Sequence, residues 1–202
     1  MCYLIQIIHS AVIPGREQPF EMEEIKCDAK GKFFTINQAT VDDVLSEEFW
    51  KCLVFLTESP KPSDEIIIKS FDERNRGGQV TLVAKQEGKV VGTASMIFSR
   101  KFIRNCAIVG MIEDVVVHEQ NQGYSIGQTL VNQLLEIGKQ HGIYKAILSC
   151  DLEHKEFYAK KCGFNKCEIS MKQYFVKELE GASGSSDIVG LRKEAEPVQV
   201  QD

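Results

Sequence analysis

Apolar positions in the middle of the chain follow two different periods. Lys32 to Asn37 alternates as a strand, whereas Leu45, Phe49, Leu53 and Leu56 recur at helical spacing and predict one helix from Val41 to Glu58. Ser63 followed by Ile66, Ile67 and Phe71 predicts a second helix, capped by the serine and stopped before Gly77-Gly78. Gln79 to Gln86 and Lys89 to Phe98 are β-rich runs around Glu87-Gly88, the pattern of a hairpin. Val109 to Val117 predicts a third strand of this meander. Tyr124 to Gln140 predicts a helix that buries Ile126, Leu130, Leu134 and Ile137 and stops at Gly142. Ala146 to Cys150 then reads as a strand, Lys155 to Cys162 as a short helix ended by Gly163, and Lys166 to Phe175 as a last strand. Hairpins combined with one strand-helix-strand crossover predict an α/β domain with a mixed sheet.

The flanks lack either period. Residues 1–30 are punctuated by Pro14, Gly15 and Pro19 and read as a poorly ordered extension. Residues 178–202 turn glycine- and serine-rich, then charged, and read as a disordered tail. The folded domain is expected at 31–177. A net charge of -5 and no basic cluster argue against a nucleic-acid surface. The apolar stretch Met1 to Pro14 lacks a basic leader and contains Gln6 and His9, so neither a cleaved signal nor a membrane span is expected. Seven cysteines without CxxC spacing suit reduced thiols in a cytoplasmic compartment better than disulfides or zinc, and no metal is expected.

The stretch with most chemical content is Glu113-Asp114-Val115-Val116-Val117, then Gln122-Gly123-Tyr124-Ser125-Ile126-Gly127 leading into the long helix. A strand that feeds a glycine-containing loop into a helix N-terminus presents free backbone N–H groups and a positive dipole end, which suits a pyrophosphate. The same two glycines also serve a turn that holds no ligand. Tyr158 reads on its own as a core tyrosine beside Phe157, Glu113 and Asp114 as a solvated strand end, and Lys101 and Arg104 as surface charges. Cys150 and Cys162 read as small buried residues. His154 has no second histidine, cysteine or carboxylate at evident ligand spacing and reads as a surface residue.

Taken together, the Glu-Asp-Val-Val-Val strand, the Gln122 to Gly127 loop, Lys101-Phe102-Ile103, Phe157-Tyr158 and Lys160-Lys161-Cys162-Gly163-Phe164 resemble the glucosamine-6-phosphate N-acetyltransferase family of the GNAT superfamily. The resemblance implies the GNAT acyl-CoA N-acyltransferase fold, a mixed and mostly antiparallel sheet flanked by helices. It implies acetyl-CoA as co-substrate, glucosamine 6-phosphate as acceptor, synthesis of UDP-N-acetylglucosamine as the context, and a homodimer. The family loop pattern Gln/Arg-x-x-Gly-x-Gly/Ala is met by Gln122 and Gly127, with Ser125 in place of the central glycine. By the same resemblance Val115, Val116 and Val117 hold the pantetheine arm through their backbone, and Gln122, Gly123, Tyr124, Ser125, Ile126, Gly127 and His154 complete the cofactor site. Tyr158 lies near the CoA sulfur, where its phenol protonates the departing thiolate, a backbone N–H near Asp114 or Val115 serves the oxyanion, and the Ser149 carbonyl orients the amine. Thr57, Lys101, Phe102, Ile103, Arg104, Glu113 and Asp114 are the implied sugar-phosphate residues. The chain departs from the family pattern at Arg104 for histidine, Ser149 for an acid, His154 for asparagine and Tyr174 for arginine.

Overall fold

A computed structural model describes residues 4, 5, 24–29, 31–167 and 171. Seven strands form one sheet in chain order: β1 Leu4–Ile5, β2 Glu24–Ala29, β3 Lys32–Gln38, β4 Gln79–Gln86, β5 Lys89–Arg100, β6 Ile108–Val117 and β7 Ile143–Leu148. Neighbours are antiparallel except β6 and β7, which are parallel, as the crossover requires. The mixed α/β sheet is therefore the one the patterning implied. The sheet nevertheless begins earlier than expected. Glu24–Ala29 lies inside the segment read as an extension, and its register with β3, from Ile25↔Ile36 to Ala29↔Lys32, shows why. The polar residues of β2 alternate onto an open face, so the strand depends on a ready-made partner rather than on its own hydrophobicity. The last strand expected, Lys166 to Phe175, and Tyr174 within it fall largely outside the described residues.

The helix expected from Val41 to Glu58 is two helices, α1 Val41–Leu45 and α2 Glu47–Leu53. Ser46 separates them. Its backbone is extended, its hydroxyl donates to the Asp43 carbonyl at 2.6 Å and accepts from the Phe49 amide at 3.3 Å, so one side chain closes α1 and caps α2. Thr40 opens α1 with a capping box, in which its amide donates to Asp43 Oδ2 at 3.0 Å and its hydroxyl accepts from the Asp43 amide at 3.3 Å. The other oxygen of buried Asp43 meets Lys85 Nζ on β4 at 2.7 Å, which ties the helices to the sheet. Helix α3, Asp64–Arg76, follows as expected, although Ser63 makes no side-chain capping bond. Glu87 and Gly88 both have positive φ, as a two-residue hairpin turn demands.

Two cores cover the two faces of the sheet. One packs Val80, Leu82, Ala84, Ala94, Met96 and Ile112 against Ile126, Leu130, Leu134 and Ile137 of α5, Ile126–Gln140. The other packs Val83, Val90 and Val116 against Val44, Phe49, Cys52 and Ile67 of α1, α2 and α3. Between β5 and β6, Ile103–Cys106 forms a single turn, α4, in which Arg104, Asn105 and Cys106 all have left-handed φ. Helix α6, Lys155–Cys162, ends at Gly163, whose φ of 75 places it in the left-handed region of a helix stop.

Candidate active site

Strand β6 is irregular where the motif residues lie. Its pairing with β5 runs from Arg100↔Ile108 to Ser95↔Glu113 and resumes at Thr93↔Val116, so Asp114 and Val115 together oppose Ala94 alone. This is a β-bulge. Asp114 has φ 54, a left-handed conformation that costs a non-glycine residue on the order of 1 kcal/mol. Ile112 and Val116 are four residues apart, and unbroken alternation would place them on the same face. Instead Ile112 faces the α5 core while Val116 faces the α1 to α3 core, because the extra residue inverts the alternation. Val115 and Val117 consequently pack towards the α5 side.

The other edge of β6 opens at the same point. Its parallel ladder with β7 ends at Ile112↔Leu148, leaving Glu113 to Val117 without a strand neighbour on that side among the described residues. Ser149, exposed, stands immediately past the last pair and next to the opening. The strand then leads through a 3-10 turn at Glu119–Asn121 into the loop. There Gln122 Nε2 donates to the Val117 carbonyl at 3.2 Å, Gly123 has φ 79, and Ser125 has φ 60 at the start of α5. Ser125 makes no side-chain cap, and the first intrahelical bond runs from the Thr129 amide to its carbonyl at 2.9 Å. The amides of Ile126, Gly127 and Gln128 thus have no intrahelical acceptor and point out of the helix end. Ser125 supplies the left-handed backbone where the family pattern has glycine, so that departure leaves the turn intact. A Cβ on Gly127 would lie 3.5 Å from Val117 Cγ2 and 3.6 Å from Phe157 Cζ, which places this glycine where loop, strand and α6 converge. Tyr124 lies under Lys32 Nζ at 4.3 Å.

Tyr158 on α6 is half-buried, with Phe157 at 5.0 Å and Phe164 at 6.2 Å between ring centroids. Burial, with smaller contributions from the Cys150 and Cys162 thiols, pushes its phenol from 10.0 up to about 12, so it stays protonated. Cys162 is buried and its pKa is raised for the same reason, whereas Cys150 is exposed, contrary to the reading from sequence, because β7 ends at Leu148. His154 caps α6 without a side-chain bond. It does have carboxylate neighbours, correcting the sequence reading: ligand atoms of Asp151, Glu153 and His154 lie within 4.8 Å of one another in a 3-10 turn that sequence spacing alone did not reveal. All three are exposed.

The residues expected to bind the sugar phosphate do not form one cluster within the chain. Glu113 and Asp114 lie at the bulge. Lys101, Phe102, Ile103 and Arg104 occupy the β5–β6 turn, beyond the Arg100↔Ile108 pair and about 20 Å along the strand from Asp114 at 3.3 Å per residue. Arg104 rests on the Tyr144 ring at 5.3 Å, and Phe102 and Ile103 are exposed. Thr57 lies in the turn after α2, where its carbonyl accepts from Ser59.

A group not anticipated from the sequence adjoins Asp114. A cavity of about 180 Å³ lies between α1, α2, α3 and the sheet, walled by Val44, Phe49, Trp50, Leu53, Ile66 and Phe71. Its polar end is formed by Arg74, Thr81, Thr93, Ser95 and Asp114. Arg74 Nη2 donates to Ser95 Oγ at 2.9 Å and lies 3.4 Å from Asp114 Oδ2, and Ser95 Oγ is 3.1 Å from Thr81 Oγ1. One signal was available: Arg74 follows Ile67 and Phe71 at i+7 and i+3 on the buried stripe of α3, where a cation needs a partner.

Residues 43–164 match the model of the acetyltransferase (GNAT) family. The chain belongs to that family. It is 36% identical over 146 residues to glucosamine 6-phosphate N-acetyltransferase of Arabidopsis thaliana, covering 70% of this chain and 97% of the relative. It is 33% identical over 166 residues to glucosamine 6-phosphate N-acetyltransferase 1 of Oryza sativa subsp. japonica, covering 79% of this chain and 99% of the relative. The solved structure of the Arabidopsis thaliana enzyme superposes with a TM-score of 0.67 at 35% identity, over 71% of this chain and 99% of that one. In this GNAT member, the open edge of β6 leads through the Gln122 to Gly127 loop into the start of α5.

Proposed function

We propose that this chain transfers the acetyl group of acetyl-CoA to the 2-amino group of D-glucosamine 6-phosphate, giving N-acetyl-D-glucosamine 6-phosphate. The observation that carries the reading is the opened edge of β6 from Glu113 to Val117, continuous with the amide-rich start of α5, with Tyr158 of α6 packed against the same core as Val115 and Val117. The relatives of more than 30% identity share this acceptor in their names.

The residues present fit a CoA thioester. Val115 and Val117 lie on the β6 edge that has no strand partner among the described residues, which suits the amides of a pantetheine arm, although the Val117 carbonyl already accepts from Gln122 Nε2. The amides of Gly123 and of Ile126 to Gln128 face a pyrophosphate, with the α5 dipole adding to the attraction. Near the bulge, Asp114 and Val115 have no register partner on β5, and a backbone N–H there stabilises the oxyanion that forms as the amine attacks. The Ser149 carbonyl, across the opening, orients the neutral amine. Tyr158 meets the departing sulfur. Its phenol at about 12 is a weaker acid than a cysteine-type thiol near 8.5, so it stabilises the thiolate by donating a hydrogen bond rather than by surrendering its proton; as the C–N bond forms and the C–S bond breaks, the proton shed by the amine passes to water or to the departing thiolate. Holding both reactants at the bulge supplies the rest.

Product destined for UDP-N-acetylglucosamine synthesis, a cytoplasmic location and a homodimer belong to the same reading. Exposed thiols at Cys106, Cys150 and Cys167 are in keeping with a reducing compartment. A dimer is also a natural means of bringing Lys101 and Arg104 to a site they do not reach within one chain. Purified protein given both substrates should release CoA thiol, and no release across a wide range of sugar phosphate ends the reading. A second reading, another amine as acceptor, draws on the apolar wall of the cavity beside Asp114. An acceptor panel decides between the two: preference for glucosamine 6-phosphate over every other amine removes the second.

A further inference from the structure

The geometry points to Arg74 as a positioning residue for the acceptor: it holds the Asp114 carboxylate at the mouth of the cavity so that the incoming hydroxyl or amine meets a fixed acceptor atom. This inference rests on the acetyltransferase reading and deepens it, because Arg74 acts through Asp114 and touches neither reacting atom.

Three observations carry it. Asp114 sits in the bulge with left-handed backbone, and neither it nor Val115 has a register partner on β5, so the ladder alone does not hold this turn. Arg74 reaches it from a helix forty residues earlier, and the same Nη2 that lies 3.4 Å from Asp114 Oδ2 donates to Ser95 Oγ at 2.9 Å. Ser95 is itself anchored: it is buried, opposite Glu113 in the ladder, and 3.1 Å from the buried Thr81 hydroxyl. A planar guanidinium on a buried hydroxyl is fixed in direction, so the carboxylate it faces is fixed too. Asp114 retains its other oxygen for the acceptor, and its side chain is 45% exposed, compared with 35% for Arg74. Both side chains line the cavity. A lysine here keeps the charge but is shorter and carries a freely rotating ammonium, without the rigid plane that fixes the directions of the two Nη2 N–H groups. The other polar groups at this end, Thr81 and Thr93, are neutral hydroxyls, and Thr93 Oγ1 already donates to the Leu82 carbonyl at 2.8 Å.

The test is steady-state kinetics of the full chain with acetyl-CoA and glucosamine 6-phosphate for R74A, R74K, D114A and R74A/D114A. R74A should raise the acceptor KM about 10-fold while the acetyl-CoA KM stays within about 2-fold. R74K should recover only a minor part of that loss. In the D114A background, R74A should add less than about 2-fold, because the group it positions is gone. Equal losses on the donor and acceptor sides overturn the inference, as do R74A and D114A effects that simply multiply. Should R74A fail to fold, R74Q, which keeps most of the side-chain length and an N–H donor, takes its place in the same cycle. A wild-type chain that acetylates no amine removes the acetyltransferase reading itself, whereas an active wild type with an unaffected R74A removes only the role of Arg74.

Discussion

The proposed donor side and the proposed acceptor side of this site are built on different principles. The donor side, from Val115 through the Gly123 loop into α5, is nearly contiguous in sequence and presents mainly backbone: an unpaired strand edge and a helix start without side-chain capping. The proposed acceptor side, the cavity beside Asp114, is lined from α1, α2, α3, β4, β5 and β6 and presents side chains, with Trp50, Arg74, Ser95 and Asp114 contributed from positions up to 64 residues apart. Backbone recognition tolerates substitution, as Ser125 shows by taking the left-handed conformation that the family pattern assigns to glycine. Side-chain recognition does not, because each group must reach particular partners from a fixed position. Among GNAT relatives, therefore, the acceptor should change more readily than the donor.

The most damaging way to sharpen this contrast is Tyr158→Phe, the one donor-side position where a side chain carries chemistry. Its kcat should fall roughly 100-fold with the acetyl-CoA KM nearly unchanged, since the hydrogen bond to sulfur matters in the transition state. An unaltered kcat breaks the assignment. The pH profile gives a second handle. Because burial holds the phenol near 12, Tyr158 contributes no alkaline limb below about pH 11, and activity should rise with pH as the acceptor amine loses its proton. The sign for stability is the reverse: a phenol pKa above its unfolded value of 10.0 favours the fold up to about pH 10, and that contribution is lost as pH rises through 12.

Next in size is Gly127→Val. Its Cβ is sterically tolerable, but γ carbons would crowd Val117 and Phe157 and shield the amide, so the acetyl-CoA KM should rise about 10-fold while the acceptor KM stays put. Equal effects on both substrates would mean that the two sides are not separable. On the acceptor side, Trp50→Ala removes a cavity wall and the indole N–H that donates to the Val44 carbonyl at 2.8 Å. The expected cost is about 3 kcal/mol in denaturant unfolding together with a raised acceptor KM. Ser149→Ala should change kcat less than about 2-fold, because only its carbonyl is used, and a larger loss would assign work to the hydroxyl. The smallest expected effect is chemical. In the native protein at pH 8, an alkylating reagent should modify Cys106, Cys150 and Cys167 and spare Cys52, which is fully buried and whose thiol burial pushes up to about 11. Mass spectrometry of the labelled chain checks this.

The sequence by itself determined the parts whose information is local. Alternation in β4 and β5, the Glu87-Gly88 turn, the stripe Ile126, Leu130, Leu134 and Ile137, and the Gly163 stop each depend on residues within a few positions, and the donor loop shares that property. Tertiary structure alone decided the rest. Strand β2 needed β3 as a template, Ser46 divided a periodic stretch by satisfying both helix ends, and Cys150 was left outside by the length of β7. The bulge at Asp114 is the clearest case: Glu-Asp-Val-Val-Val reads as continuous strand, and only its register against Thr93 and Ser95 shows that one residue is extra and that the faces invert there. Period and turn chemistry are properties of neighbours along the chain. Register, cavity and the Arg74 to Asp114 contact depend on which distant surfaces are buried together, and single-chain spacing does not encode that choice.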